Sequence, residues 1–259
     1  MRILLTGASK GIGRGIALRH AAPGNHLALC ASAPSPELES IVAECRAKGA
    51  EAMGLTGNLA DGATPARLVT EAAQAFGGLD SVVSNAGIVA AGRLSILEEA
   101  SWDRIFSVNT RSPWLLAKAA HPHLAASKGA FVAVSSMSGV EPYAGTGAYS
   151  PAKAALIMLV RVLAQEWAAE GIRVNAVSPG IIETAMTAPI YADPAKKAAR
   201  EALVPMHRIG QPEDIAGVVA FLLSPDAAYL TGQNLLTDGG LLGSIQSHLA
   251  GRPVSERER

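Results

Sequence analysis

Apolar residues fall along the chain in short continuous runs: RILLT at 2–6, HLALCA at 26–31, AEAMGLT at 50–56, LDSVVSN at 79–85, AFVAVSS at 130–136, IRVNAVS at 172–178 and QNLLTD at 233–238. Runs of this length read as strands. Between them, 11–22, 37–48, 63–76, 99–125, 149–170 and 212–223 carry alanine, leucine and charged residues at the spacing of a helix with one buried face. Strand and helix alternate over the whole length, which predicts a parallel sheet covered by helices on both faces. Right-handed crossovers then give a Rossmann-type α/β fold, a doubly wound sheet in a single domain.

Two stretches break the rhythm. Residues 183–208, ETAMTAPIYADPAKKAAREALVPMHR, are inserted between the sixth strand and the next helix. An insertion of that size in a compact domain is expected to be a lid or binding loop, here over a domain spanning 1–245. The polar, charged tail at 246–259 is expected to be loose.

Composition removes several function classes. Of 259 residues, 49% are apolar and 17% charged, as in a compact domain with a sizeable core. Lys plus Arg and Asp plus Glu are equal at 22 each, so no net field favours nucleic acid or an anionic membrane. The longest apolar runs, such as AALIMLV at 154–160, are far too short to cross a bilayer, and MRILLTGASKG does not read as a signal peptide. Cys30 and Cys45 give neither a disulfide framework nor a metal spacing, and Cys30 in LALCA reads as a core residue. A reducing cytoplasm is the expected compartment. No metal is expected either: His121 and His123 face different ways on a helix, and His20, His26, His207 and His248 lack partners at ligand spacing.

Chemistry begins at LLTGASKGIGRGIAL, which follows the first strand and opens the first helix. Gly7, Gly11 and Gly13 supply a backbone free of Cβ where a chain turns sharply or approaches a pyrophosphate seated on a helix N-terminus. Thr6 and Ser9 can tie down that turn or reach a phosphate. Later, GTGAYSPAKAAL at 145–156 sets Tyr149 and Lys153 at i and i+4, stacked on one helix face. Pro151 is tolerated only in a first turn, so the helix is expected to start near Tyr149. A free phenol has a pKa near ~10, whereas an ammonium at ~4 Å and an effective dielectric of ~20 lowers it by up to roughly three units. The pair therefore reads as a general acid/base with its tuning charge. Ser136, ending the fifth strand where crevices of parallel sheets open, can hydrogen-bond a substrate oxygen; Ser135 and Ser138 are rivals in the same run.

TGASKGIG, SNAG at 84–87, Asn109 in SVNT, Ser136 in AVSSMSG, YSPAK at 149–153, SPGIIET at 178–184 and DGG at 238–240 occur in order over residues 2–240. In this the chain resembles the short-chain dehydrogenase/reductase family, and RIGQPEDIAGVVAFLLS with YLTGQNLLTDGG is similar to 3-oxoacyl-acyl-carrier-protein reductases within it. The resemblance implies hydride transfer between a nicotinamide cofactor and a secondary alcohol/ketone pair. It implies a tetrad of Tyr149 as acid/base, Lys153, Ser136 and Asn109, the last acting through its backbone carbonyl. Along the cofactor it implies Thr6, Gly7, Ser9, Lys10, Gly11, Ile12 and Gly13, then Ser32, Asn58 and Leu59 near the adenosine. Asn85, Ala86 and Gly87, Tyr149 and Lys153 again, and Pro179, Gly180, Ile182 and Thr184 follow toward the nicotinamide.

NAD-preferring relatives carry an acid at the end of the second strand, and this chain has Ala31 there, with Lys10 and Ser32 to hold a 2′-phosphate. NADP(H) is therefore favoured, with NAD(H) as the alternative. Asn58 and Leu59 depart from the usual Asp-Val or Asp-Leu pair but keep an amide acceptor. The family also implies a homotetramer or homodimer, with helices 99–125 and 149–170 as the main interface. A carrier-protein reductase would need a basic patch, for which Arg104, Arg111, Lys118 and Lys128 are candidates. A nucleotide-binding regulator that lost its chemistry is the alternative of another class, and its usual sign, a damaged tetrad, is absent. Tyr143, in MSGVEPYAG at 137–145, and Met137, Met186, Ile190 and Met206 are candidates for lining a substrate pocket or for packing.

Overall fold

The computed structural model describes residues 1–184 and 187–244, so Met186, His248 and the 246–259 tail lie outside the described residues. Seven parallel strands form one sheet: β1 (Arg2–Thr6), β2 (His26–Ala31), β3 (Glu51–Thr56), β4 (Ser81–Ser84), β5 (Ala130–Val134), β6 (Arg173–Pro179) and β7 (Asn234–Thr237). Their order is β3-β2-β1-β4-β5-β6-β7. The chain winds outward from β1 to β3, crosses back, and winds the other way from β4. The reversal between β1 and β4 is the place where open sheets of this kind leave a crevice at the carboxyl ends of the strands.

Helices α1 (Gly11–His20), α2 (Pro36–Ala47), α3 (Thr64–Phe76), α4 (Glu99–Phe106), α5 (Ser112–Ser127), α6 (Tyr149–Trp167), α7 (Ala188–Tyr191), α8 (Pro194–Leu203) and α9 (Pro212–Leu223) cover the two faces and the rim. On one face, Ile3, Leu5, Leu27, Leu29 and Val132 pack with Ile16, Ile41, Ile215 and Val219 of α1, α2 and α9. On the other, Leu4, Val82, Phe131 and Val174 pack with Leu68, Leu116, Leu156 and Val160 of α3, α5 and α6. Leu4 pairs with Val82, Val82 with Phe131 and Phe131 with Val174 across four strands, so one row of side chains crosses the sheet. Both faces are dry, which is why the strand runs are continuous rather than alternating. Each large side chain so buried contributes about 1.5–3 kcal/mol.

Several elements end differently from the sequence reading. The runs at 79–85 and 130–136 leave the sheet at Ser84 and Val134, and Asn85, Ser135 and Ser136 turn out over the crevice. The helix expected over 99–125 is interrupted by a π turn at Ser107–Arg111, and Thr110 there donates to the Ala152 carbonyl of α6 at 2.9 Å. The insertion at 183–208 is pinned at its two ends by a bridge between Ile182 and Gly210, and it folds into α7 and α8. No helix among the described residues is long and apolar enough to cross a membrane.

Candidate active site

The glycine turn is built from backbone. Gly7 sits at φ +65°, and a Cβ on Gly13 would collide with the Gly7 carbonyl and the Asn85 amide. Thr6 Oγ1 accepts the N–H groups of Asn85 and Ala86, each at 3.1 Å, and Asn85 Nδ2 donates to the carbonyls of Thr6 and Gly7, each at 3.0 Å. Thr6 and Asn85 thus clamp the turn after β1 to the turn after β4. No side chain caps α1 and its first turn carries no acid, so its N–H groups and dipole face the crevice unspent.

A cavity of about 540 Å³ runs from that N-terminus to the adenosine side. Thr6, Gly7, Ser9, Lys10, Gly11, Ile12, Gly13, Ser32, Asn58, Leu59, Asn85, Ala86, Gly87 and Thr184 all line it, together with Arg104, which sequence reasoning placed elsewhere. Asn58 is exposed on the rim, its Oδ1 accepting the Ala60 N–H at 3.1 Å in a local turn. The structure adds one charge: Lys10 Nζ lies 2.8 Å from Glu37 Oε1 at the start of α2, and that ammonium holds the Glu37 carboxyl well below the usual carboxylate range.

A second cavity of about 310 Å³ contains residues expected to take part in proton transfer. Ser136, Tyr149, Lys153, Pro179, Gly180 and Ile182 line it, and Ile12, Asn85, Gly87 and Thr184 line both cavities, so the two are continuous. Tyr149 is the first residue of α6, as the position of Pro151 required. Ser136 Oγ accepts the Ser138 N–H at 3.1 Å, which leaves its own proton free to donate; it is hydrogen-bonded to the Tyr149 phenol. The rival Ser135 is buried with its hydroxyl donated to the Lys153 carbonyl at 3.0 Å. Ser138 is buried as well.

Lys153 is buried, its ammonium donating to the Val134 carbonyl at 2.8 Å and lying 5.8 Å from the Tyr149 ring centroid. Burial lowers its pKa to about 8. Burial raises that of Tyr149 above the ordinary phenol value, and the Ser136 hydrogen bond pulls it back only in part. This corrects the expectation that the lysine drives the phenol toward neutrality. In the fold by itself the ammonium is turned to the Val134 carbonyl, and burial of the phenol sets the direction of its shift.

Asn109 is fully buried in the π turn, its Oδ1 accepting the Ile88 N–H at 2.9 Å and its Nδ2 donating to the Ile88 carbonyl at 2.8 Å. Both ends of its amide are thus engaged by the Ile88 backbone. A π turn shifts carbonyls out of the regular helical ladder at that point. Among the described residues no cluster of three or more His, Cys, Asp or Glu can hold a metal ion. His121 is instead 3.0 Å from Glu170, and Cys45 is buried with its thiol pushed up to about 11. Cys30 is buried too, its thiol pushed up further.

Three comparisons bear on this site. A family model described as enoyl-(acyl carrier protein) reductase matches residues 7–242. Bovine dehydrogenase/reductase SDR family member 4 is 36% identical over 244 residues, 93% of this chain and 87% of its own. The Staphylococcus aureus 3-oxoacyl-[acyl-carrier-protein] reductase FabG is 36% identical over 239 residues, 92% of this chain and 96% of its own. The chain belongs to the short-chain dehydrogenase/reductase family. Among solved structures, a Beutenbergia cavernae protein assigned as an NAD(P)-dependent gluconate 5-dehydrogenase, with NADP bound, matches with a TM-score of 0.86 at 34% identity. That match covers 93% of this chain and 96% of the other.

This short-chain dehydrogenase/reductase is accordingly an NAD(P)(H)-dependent oxidoreductase interconverting a secondary alcohol and a ketone. Its residues fit such a nucleotide on their own account: an uncapped helix N-terminus, and a turn in which a Cβ at Gly13 would close the cradle. The motifs did not reveal the Val134 and Ile88 backbones that hold Lys153 and Asn109, Glu37 beside Lys10, or Tyr191 and Arg200 of the insertion, which line the catalytic cavity. Backbone partners carry no signal in residue identity. The insertion is expected from its length to be a lid or binding loop, but length does not say which of its side chains turn inward. Of the pocket candidates, Met137 lines that cavity, Met206 lines a neighbouring one and Tyr143 is exposed.

Proposed function

We propose that Tyr149, Ser136, Lys153 and Asn109 carry the alcohol/ketone conversion, with NADP(H) preferred over NAD(H). The observation that carries this reading is one cavity lined by the Tyr149 phenol, its Ser136 partner and the buried Lys153 ammonium, and continuous with the nucleotide crevice. A bound nicotinamide supplies the hydride acceptor or donor. Tyr149 takes the hydroxyl proton in oxidation and returns it to the carbonyl oxygen in reduction. Ser136 donates to that oxygen and holds it against the phenol. Lys153, positioned by Val134, opposes the negative charge that Tyr149 acquires, and Asn109 supports the proton path through its backbone carbonyl.

For NADP(H) speak Ala31 in place of an acid at the end of β2, and Lys10 and Ser32 beside the crevice. The Lys10–Glu37 pair weakens that preference without reversing it, because the carboxylate comes from α2 and is already neutralised. Substitution Tyr149→Phe should lower kcat by about 10²–10⁴-fold while NADPH binding, read by fluorescence titration, stays within a factor of about 3. Retained turnover would overturn the proton-transfer assignment, and tighter NADH than NADPH binding the cofactor assignment.

A second reading, reduction of a 3-oxoacyl carrier-protein thioester, is favoured by the identity to FabG. The basic candidates for carrier docking are dispersed: Arg104 lines the nucleotide cavity, Arg111 donates to the Ala60 carbonyl at 2.6 Å, and Lys118 lies over the Trp114 ring at 5.6 Å. Turnover of small ketones far above that of acyl thioesters excludes it. Self-association is supported by α5 and α6, which expose Trp114, Met158 and Val162.

A further inference from the structure

The insertion places a cation in the catalytic cavity without giving it an anion. Three basic residues of α8 lie one after another along its length. Lys196 pairs with Asp193 at 3.2 Å and Lys197 with Glu183 at 3.3 Å. Arg200 has no carboxylate partner among the described residues. Its Nη1 donates to Tyr191 Oη at 3.4 Å, and its guanidinium lies 5.6 Å from the centroid of that buried ring. The aromatic ring orients the guanidinium but satisfies little of its five-donor fork.

Arg200 is half-buried, and it lines the same cavity as Ser136, Tyr149 and Lys153. Among the described residues no aspartate or glutamate lines that cavity. A rigid planar cation facing a cavity of about 310 Å³ with no compensating negative charge is complementary to an oxyanion presented in the plane of its fork. Lys153 does not answer the same need, since its ammonium is committed to Val134 and to the phenol.

We propose that Arg200 is a specificity-determining residue that binds an anionic group, a carboxylate or a phosphate ester, on a small hydroxy or oxo substrate whose alcohol or ketone faces Tyr149. This rests on the reading of Tyr149 and Ser136 as the reacting end of the cavity. It adds which class of alcohol the enzyme takes.

The test uses the full chain with saturating NADPH. The probes are 2-oxobutanoate, 3-oxobutanoate and 4-oxopentanoate, each against its methyl ester, and dihydroxyacetone phosphate against dihydroxyacetone. For the best series, kcat/KM of the charged member should exceed that of its neutral partner by about 10-fold or more. Substitution Arg200→Gln should cut turnover of the charged member by about 30-fold or more, leave the neutral member within about 3-fold, and leave NADPH affinity unchanged. Arg200→Lys should restore part of the loss. Which series responds tells carboxylate from phosphate.

Equal losses for charged and neutral partners, or a loss of NADPH affinity in Arg200→Gln, would overturn the proposal in favour of a structural or cofactor role. Binding of the charged probes by calorimetry separates the two readings. Arg200-dependent binding without turnover keeps the anion site and removes the Tyr149 chemistry. Binding that is indifferent to Arg200 removes the anion site whatever the turnover.

Discussion

The two halves of the crevice are made of different material. On the nucleotide side, from β1 through α1 to the turn after β4, the crevice is built of backbone, an uncapped helix N-terminus and a left-handed Gly7, with the Thr6 and Asn85 side chains lashing two turns together. On the lid side, between the two ends of the Ile182–Gly210 bridge, it is carried by side chains of two short helices, Tyr191 and Arg200 among them. The pyrophosphate is the same for every nicotinamide cofactor, and backbone N–H groups suffice for it. Substrates differ, and only side chains can be exchanged without rebuilding a turn. The nucleotide half should therefore be intolerant of small changes, and the lid half should trade specificity at little cost in stability.

The sharpest way to break that contrast is a pair of glycine-to-alanine changes. At Gly13 the added methyl meets the Gly7 carbonyl and the Asn85 amide, neither of which can move without opening the clamp between the two turns. Gly13→Ala should lower NADPH affinity by about 100-fold or more and destabilise the fold by about 1–3 kcal/mol. At Gly217, in α9, a Cβ has nothing within 4 Å. Gly217→Ala should leave binding untouched and stabilise by about 0.5–1 kcal/mol through helix propensity alone. Titration calorimetry and urea unfolding read both. If Gly13→Ala binds NADPH as the parent does, the backbone account of this half is wrong.

The same division decides what could be read before the fold was known. The turn glycines, Tyr149 with Lys153, and Pro151 fixing the start of α6 are constraints on residue type at fixed spacing, and the structure puts Gly11 and Gly13 in the first turn of α1 and Tyr149 first in α6 with Lys153 one turn on. The seven strand runs were legible because a sheet dry on both faces leaves continuous apolar segments. Ser135 and Ser136 both line the cavity, and what separates their hydroxyls is hydrogen bonding to a carbonyl and an amide, which has no sequence signature. Nor is the π turn at Ser107–Arg111 visible in a helical pattern, since the apolar period is nearly unchanged by one wider turn. Arg200 looked like one of several lysines and arginines in a polar stretch. Only the pairing of its neighbours Lys196 and Lys197 with carboxylates sets it apart.

At the seam between the halves sits Lys153, a charge held in the core at the expense of stability. Its pKa is about 8 against an ordinary 10.5, and the difference of 2.5 units corresponds to roughly 3 kcal/mol at neutral pH. Both states hold the proton below pH 8 and neither holds it above 10.5, so the penalty is full below 8 and fades between those values. Lys153→Met removes it but orphans the Val134 carbonyl, at about 1 kcal/mol. The variant should thus be inactive yet more stable than the parent by about 1–2 kcal/mol at pH 7. That advantage should fall steadily as pH rises from 8 toward 10.5. Equal stability at every pH would mean that the ammonium is not desolvated.

The smallest effect is expected at Glu37, and it probes whether the nucleotide half has any side-chain tuning at all. The Lys10–Glu37 pair is exposed, so its strength is modest and screened by salt. Because the neighbouring ammonium holds the Glu37 carboxyl below the usual range, it stays charged throughout the pH range of activity, and only substitution can remove it. Glu37→Gln keeps the shape, frees Lys10, and takes away a carboxylate beside the expected 2′-phosphate. The ratio of NADPH to NADH affinity should rise by about 2- to 5-fold at low salt and by less at high ionic strength. Lys10→Gln should move the ratio the other way. If neither variant changes it, Lys10 does not read the phosphate, and the preference rests on the absence of an acid at Ala31 alone.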